Sequence, residues 1–311
     1  MTLDPQAQER LAQDAAIGAR PVWELPLATA RANQENRAKL PGPEVASVVD
    51  MEVPAPDVAV GVRAYTPAGA GPFPVVVWMH GGGWVLGSVN STDATCRAMA
   101  NDTPCVVVSV EYRLAPETKF PGPAEDCYAV AQWVATNGAR LNADTSRMAI
   151  AGASAGGNLA AAVALMARDR GGPALVQQTL VYPVTDGTLS TESYERCATG
   201  FGLSRDTMTW YWKQYLASEA DRENPYAAPA RASDLSGLPP ALVITGGYDV
   251  LADEGEAYAH RLEEAGVPTI CTRYDGMIHG FFGMAAAVDK GKQAVEQAAS
   301  IMQAAFSTPV H

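Results

Sequence analysis

Ile150-Ala-Gly-Ala-Ser-Ala-Gly-Gly-Asn158 decides how the rest of this chain is read. It holds Gly152-x-Ser154-x-Gly156, the spacing of a nucleophile elbow. The reason for the spacing is steric. A serine on a sharp strand-to-helix turn takes a strained backbone conformation, and small neighbours two residues either side let the turn close. The turn pushes Oγ into a cleft and aims the first helical N–H groups at the same spot. Met148-Ala-Ile-Ala151 predicts a short buried strand before it. The Ala-rich run from Gly157 to Arg168 predicts a helix after it. The bland alternative is a Gly/Ala/Ser-rich turn, so the decision rests on the residues around it.

Upstream, Pro74–Met79 and Cys105–Glu111 are continuous apolar runs, the pattern of strands covered on both faces. Thr92–Asn101 and Pro123–Thr136 predict the helices that follow them. Val45–Val53 and Asp57–Tyr65 alternate with period two, as antiparallel strands with one solvated face do; Val58, Val60 and Val62 carry the alternation. Downstream, Gln177–Tyr182, Pro240–Gly246 and Thr269–Tyr274 predict further strands. Asp253–Ala265 predicts a helix ended by Gly266, and a last helix is expected over Ala285–Ala305. The alternation implies an α/β fold with a mostly parallel sheet flanked by helices. Two segments leave the rhythm. Residues 1–44 are helical and polar, with a helix start at Asp4-Pro5, and form an N-terminal arm. Residues 186–224 form an insertion holding the aromatic helix Thr207–Tyr215, whose Trp210 and Tyr211 could line an apolar pocket or simply pack the helix down. The expected division is arm 1–44, core 45–185, insertion 186–224 and core 225–311, with arm and insertion meeting as a helical cap over the carboxyl edge of the sheet.

The chain has 311 residues and a net charge of −12, which disfavours nucleic acid and anionic membrane surfaces as partners. Five cysteines, an odd number without close pairs, predict reduced thiols in a cytoplasmic protein. The first ten residues lack the basic-then-apolar pattern of a signal peptide, and no stretch is apolar enough for long enough to span a bilayer. Metal-ligand spacing and a G-x-G-x-x-G after a strand are both missing, so neither metal nor other cofactor is expected.

Ser154 needs a base, and the base needs a third group to fix its tautomer. There are four histidines. His311 is the last residue, His260 sits in a charged helix, and His80 adjoins a glycine run. His279 follows the last predicted strand, at the edge where sites of open α/β sheets lie. It is the expected general base and acid. Asp249 follows the buried strand Ala241–Thr245 and is the expected orienting acid; Asp186 is the alternative. Asp253 suits a helix N-terminus and Asp275 the shaping of the His279 turn. His80-Gly-Gly-Gly-Trp84 lets backbone approach a ligand and align its N–H groups, so Gly82 and Gly83, with Ala155, are the expected oxyanion donors. His80 is expected to fix this loop by hydrogen bonding, and Trp84 to border the pocket.

With His80-Gly-Gly-Gly-Trp84, Glu111-Tyr-Arg-Leu-Ala-Pro-Glu117, Gly152-Ala-Ser-Ala-Gly-Gly157, Gly247-Tyr-Asp-Val-Leu-Ala-Asp-Glu-Gly255 and Ile278-His-Gly-Phe281 in this order, the chain resembles the hormone-sensitive-lipase-like family of bacterial carboxylesterases. The resemblance runs from about residue 45 to the end. It implies an α/β-hydrolase fold with a helical cap and hydrolysis of short- to medium-chain acyl esters, a small-molecule substrate. It puts the triad on Ser154, Asp249 and His279 and the oxyanion donors on Gly82, Gly83 and Ala155, in agreement with the residue-level assignment. A homodimer rests on the resemblance alone. Two positions depart from the family pattern: Ala153, where members usually carry Asp or Thr, and Val250, where they usually carry Pro. The competing functions are a deacetylase or amidase for one acetylated metabolite, a true lipase, and a non-catalytic small-molecule receptor, which the presence of His279 argues against.

Overall fold

In the computed structural model, residues 2–18, 20–36 and 41–307 are described. His311 and the arm residues 1, 19 and 37–40 lie outside them. The elements are α1 (Pro5–Ala16), α2 (Leu27–Glu35), β1 (Ser47–Val53), β2 (Val60–Thr66), β3 (Phe73–Met79), α3 (Asp93–Asp102), β4 (Val106–Glu111), α4 (Gly122–Asn137), β5 (Ala143–Ala153), α5 (Ala155–Asp169), β6 (Gln177–Val181), α6 (Glu192–Arg196), α7 (Arg205–Tyr215), β7 (Ala241–Tyr248), α8 (Ala252–Glu264), β8 (Thr269–Ile278) and α9 (Asp289–Ser307).

The eight strands form one sheet in the order β1-β2-β4-β3-β5-β6-β7-β8. β2 runs antiparallel to β1 and β4, and every other pair is parallel. Strand alternation divides the core between the two faces. Val75, Val77 and Met79 of β3 join one cluster with Cys127, Val130 and Val134 of α4, Leu159 and Val163 of α5, and Tyr258 and Leu262 of α8. Val76 and Trp78 join the other, with Met99 of α3 and Val295 and Met302 of α9. Every residue of β3 is buried, as a strand covered on both sides requires.

The first hairpin follows its alternation: Val60, Val62 and Ala64 are buried, whereas Val58 lies before the strand and is exposed. Among the expected boundaries that move, two have a clear local cause. β5 begins at Ala143, five residues before the apolar run; its first part is polar, with Asp144 taking hydrogen bonds from Ser146 and Arg147. α9 begins at Asp289 because Phe281–Met284 first winds a 3₁₀ turn, and Val288 N–H then bonds to the Met284 carbonyl.

The two off-rhythm segments dock on the core by polar as well as apolar contacts. Asp4 caps α1 by accepting from Gln6 N–H, and its own N–H donates to Gly276 O at 3.1 Å. α7 buries Met208, Tyr211, Trp212 and Tyr215. Its end is tied down by Phe120 N–H to Tyr215 O and by Lys119 Nζ to Leu216 O, both at 2.8 Å. The Val22–Glu24 turn of the arm packs against α7.

Candidate active site

Parallel strands deliver their carboxyl ends to one edge, and three candidate side chains, Ser154, Asp249 and His279, meet there. Ser154 joins β5 to α5 with φ +60° and ψ −121°, a conformation that costs about 1–3 kcal/mol and holds only where its surroundings impose it. They do so here by sterics. A Cβ on Gly152 would run into the Gly156 carbonyl, and one on Gly156 into the Met79 carbonyl. Ser154 N–H donates to Val181 O at 2.9 Å, which pins the turn to the neighbouring strand.

His279 follows β8, and Gly280, at φ +86°, turns the chain away behind it. Its Nε2 lies 3.0 Å from Ser154 Oγ and its Nδ1 lies 2.6 Å from Asp249 Oδ2. Asp249 is 1% exposed, and its second oxygen accepts from Leu251 N–H at 3.0 Å. The Tyr182 ring, centred 4.6 Å from the imidazole, flanks it. Ser154 stays 8% exposed, enough for its hydroxyl to reach the cleft.

The 80–87 loop lies beside the elbow. Gly82 and Gly83 have φ of +120° and +61°, open to glycine without strain. Among the described residues, no backbone carbonyl takes the N–H of either glycine. Ala155 opens α5, where the N–H has no intrahelical acceptor. A Cβ on Gly83 would meet the Tyr211 ring, so α7 lies directly over this loop. His80 is buried, with Nδ1 2.8 Å from Gly81 O; Tyr112 stacks on its ring and donates to its carbonyl at 2.8 Å. Burial pulls its pKa down to about 4, so it stays a neutral hydrogen-bonding group, as expected of a loop anchor.

The other candidates have different surroundings. Trp84, expected at the pocket border, is fully buried: it stacks on Tyr215 at 4.1 Å and packs on Trp212 at 4.9 Å, so it seals the loop to α7 instead. Tyr211 is 8% exposed and Trp210 half-buried, with ring centres 5.3 Å apart. Asp186 is engaged by Arg231 at 3.0 Å and Asp253 by Ser193 N–H at 2.6 Å. Asp275 is an exposed residue of β8, not part of the His279 turn. His260 faces solvent beside Glu264. The five cysteines are free, and four are buried, where desolvation pushes the Cys96 and Cys127 thiols far from ionisation.

Asn158 was not singled out by the sequence. It is fully buried one turn into α5; its amide donates to Val184 O and Ala227 O at 2.9 and 2.8 Å and accepts from Trp84 Nε1 at 3.2 Å. A lone amide in an Ala-rich helix was the available signal. Glu254 is also buried, and its carboxylate accepts from Thr185 and Asp186 N–H, the root of the insertion. Among the described residues no helix is long and apolar enough to cross a membrane, and no three His, Cys, Asp or Glu side chains group as a metal site.

Residues 76–283 match the family model described as the alpha/beta hydrolase fold. The chain is 41% identical over 245 residues to an arylesterase of Saccharolobus solfataricus, covering 78% of this chain and 80% of that protein. It is 40% identical over 252 residues to the carboxylic ester hydrolase LipN of Mycobacterium tuberculosis, covering 79% and 67%. Among solved structures, an ester-hydrolase from the metagenome of Lake Arreo, complexed with a bipyridine phosphonate derivative, superposes with a TM-score of 0.93 at 40% identity, over 99% of this chain and 100% of that one. The chain belongs to the hormone-sensitive-lipase-like family of the α/β-hydrolase superfamily and is a carboxylic ester hydrolase.

Proposed function

We propose that the chain hydrolyses short- to medium-chain acyl esters through an acyl-enzyme on Ser154. The observation that carries this is the unbroken line from Ser154 Oγ to His279 Nε2 at 3.0 Å and from His279 Nδ1 to Asp249 Oδ2 at 2.6 Å. His279 takes the hydroxyl proton as Oγ attacks the ester carbonyl. Asp249 holds the imidazole in the tautomer that leaves Nε2 free to accept, and stabilises the imidazolium once formed. The N–H groups of Gly82, Gly83 and Ala155 receive the oxyanion; each such donor is worth a factor of about 10²–10³ in rate. His279 then protonates the leaving alcohol, and water attacking the acyl-enzyme reverses the steps.

Residues 1–44 and 186–224 act as a helical cap over the core segments 45–185 and 225–311. The contact of α7 with Gly83 and with the Val22–Glu24 turn supports this. Trp210 and Tyr211 border the acyl pocket in this proposal. Five free cysteines suit a cytoplasmic setting. The outer position of β8, with Ile270 exposed, suits a homodimer. Hydrolysis of p-nitrophenyl esters from acetyl to hexadecanoyl, in the native chain and Ser154→Ala side by side, tests the proposal. The expected result is a maximum at short or medium chains that vanishes in the variant.

A further inference from the structure

Two backbone carbonyls next to the 80–87 loop face a single guanidinium from outside the core. Arg31, on α2 of the N-terminal arm, donates through Nε to Val85 O and through Nη2 to Ala115 O, both at 3.0 Å. Its remaining donors meet Glu117 as a bidentate pair at 2.8 and 2.7 Å. One turn along α2, Glu35 accepts from Ser88 Oγ at 2.9 Å and Asn90 Nδ2 at 3.0 Å. The arm therefore grips the loop's exit on both sides.

The backbone around this grip explains why it is needed. Gly82 O accepts from Val85 N–H and Leu86 N–H at 3.2 and 2.9 Å. In a trans peptide the carbonyl and the following N–H point opposite ways, so fixing Gly82 O in this turn aims Gly83 N–H in the other direction. Ala115 N–H donates to Trp84 O at 2.8 Å and so brings the 115 segment alongside the loop. A backbone pairing would continue with Val85 or Leu86 N–H donating to Ala115 O, but the Gly82 turn has already used both. Among the described residues, no backbone N–H donates to Val85 O or Ala115 O, so two carbonyls are left side by side without a backbone donor. A planar fork of N–H groups satisfies both, which a point cation does less well.

We propose that Arg31 is a positioning residue for the oxyanion-binding N–H groups, so that the N-terminal arm helps to set transition-state stabilisation in the core. This rests on the assignment of Gly82 and Gly83 as oxyanion donors. Removing the guanidinium takes the side-chain donor from Val85 O and Ala115 O at the exit of a five-residue turn, and a displacement there passes to the Gly83 peptide.

The test is the purified full chain as Arg31→Ala and Arg31→Lys, with Arg20→Ala as a control for arm charge, because among the described residues Arg20 pairs with the exposed Glu24 in the same arm alone. The readouts are kcat and KM on p-nitrophenyl butyrate, affinity for an alkyl trifluoromethyl ketone that adds to the serine as a tetrahedral adduct, and the thermal midpoint. Arg31→Ala should lower kcat by between about tenfold and a hundredfold with little change in KM, and weaken the ketone in proportion to kcat/KM. Arg31→Lys should fall between it and the native chain, and Arg20→Ala should match the native chain. A merely structural role would lower the midpoint while leaving kcat of the folded enzyme intact. Native-like kcat and ketone affinity in Arg31→Ala at a temperature where it is folded would overturn the proposal. If Arg31→Ala does not fold, native-like values in Arg31→Lys would do the same. Ester hydrolysis surviving in Ser154→Ala would instead overturn the functional assignment on which this one stands.

Discussion

The elbow at Ser154 and the loop from His80 to Gly87 lie side by side and are both rich in glycine, yet they are held by different means. The elbow is held locally. Gly152, Gly156 and Gly157 leave little room for side chains against Gly156 O, Met79 O and Pro183, and Ser154 is pinned by one backbone bond to the next strand. The loop is held from afar: by Arg31 of the arm, Asn158 of α5 through Trp84, Tyr112 through His80, and the aromatic face of α7. Steric exclusion by adjacent backbone is written into a short motif. Support by remote side chains is written nowhere near the loop it serves.

The largest effect should come from breaking the elbow. In Gly156→Ala the new methyl meets the Met79 and His80 carbonyls, backbone with no side chain to yield. Ester hydrolysis should fall by more than about a hundredfold, with overpacking of about 3 kcal/mol lowering the thermal midpoint. A folded, active Gly156→Ala would show that the elbow is not sterically set. Gly83→Ala is the matching change on the loop. Its methyl meets the buried Tyr211 ring near its root, a side chain rather than backbone, and the residue keeps φ +61°, a strain of about 1 kcal/mol. We expect a kcat loss of about tenfold or more with a midpoint change much smaller than that of Gly156→Ala. Equal stability losses in the two variants would erase the contrast.

Asn158→Ala removes a remote support. It leaves Val184 O, Ala227 O and Trp84 Nε1 unpaired inside the protein, at about 1–3 kcal/mol each before relaxation. The midpoint should drop by about 6 °C or more. An unchanged midpoint would mean that water or repacking replaces the amide.

Glu254 offers the smallest and most specific test. Burial raises its pKa from 4.5 to about 8. The folded state therefore binds the proton more tightly than the unfolded chain. The stabilisation from this group is complete below about pH 4.5 and is lost as the pH rises through about 8. Between pH 7 and 9 the native midpoint should fall more steeply than that of Glu254→Gln, which cannot ionise. Parallel curves would place the carboxyl's titration outside that window.

The same division explains what the sequence revealed. β3, β4 and β7 were legible because a strand covered on both faces shows a nearly unbroken apolar run. The meeting of Ser154, Asp249 and His279 was legible because parallel topology brings the ends of successive strands to one edge, whatever their separation in sequence. The polar start of β5 and the delayed start of α9 were not, since turns and side-chain bonds overrode pattern and propensity there. Trp84 was misread because an aromatic beside a glycine loop looks the same in sequence whether it faces a ligand or a second aromatic helix. Arg31 and Asn158 went unnoticed because their partners, 54 and 74 residues away, are backbone and indole groups without a sequence signature.

The most direct measurement treats the native chain and Ser154→Ala with a p-nitrophenyl alkylphosphonate, which forms a stable tetrahedral adduct with an activated serine. Released p-nitrophenolate is counted and the modified peptide is identified by mass spectrometry. The expected result is one p-nitrophenolate per native chain, loss of ester hydrolysis in step with labelling, the phosphonyl group on Ser154, and no labelling in Ser154→Ala. A label on any other residue, or ester hydrolysis that persists in Ser154→Ala, would contradict it.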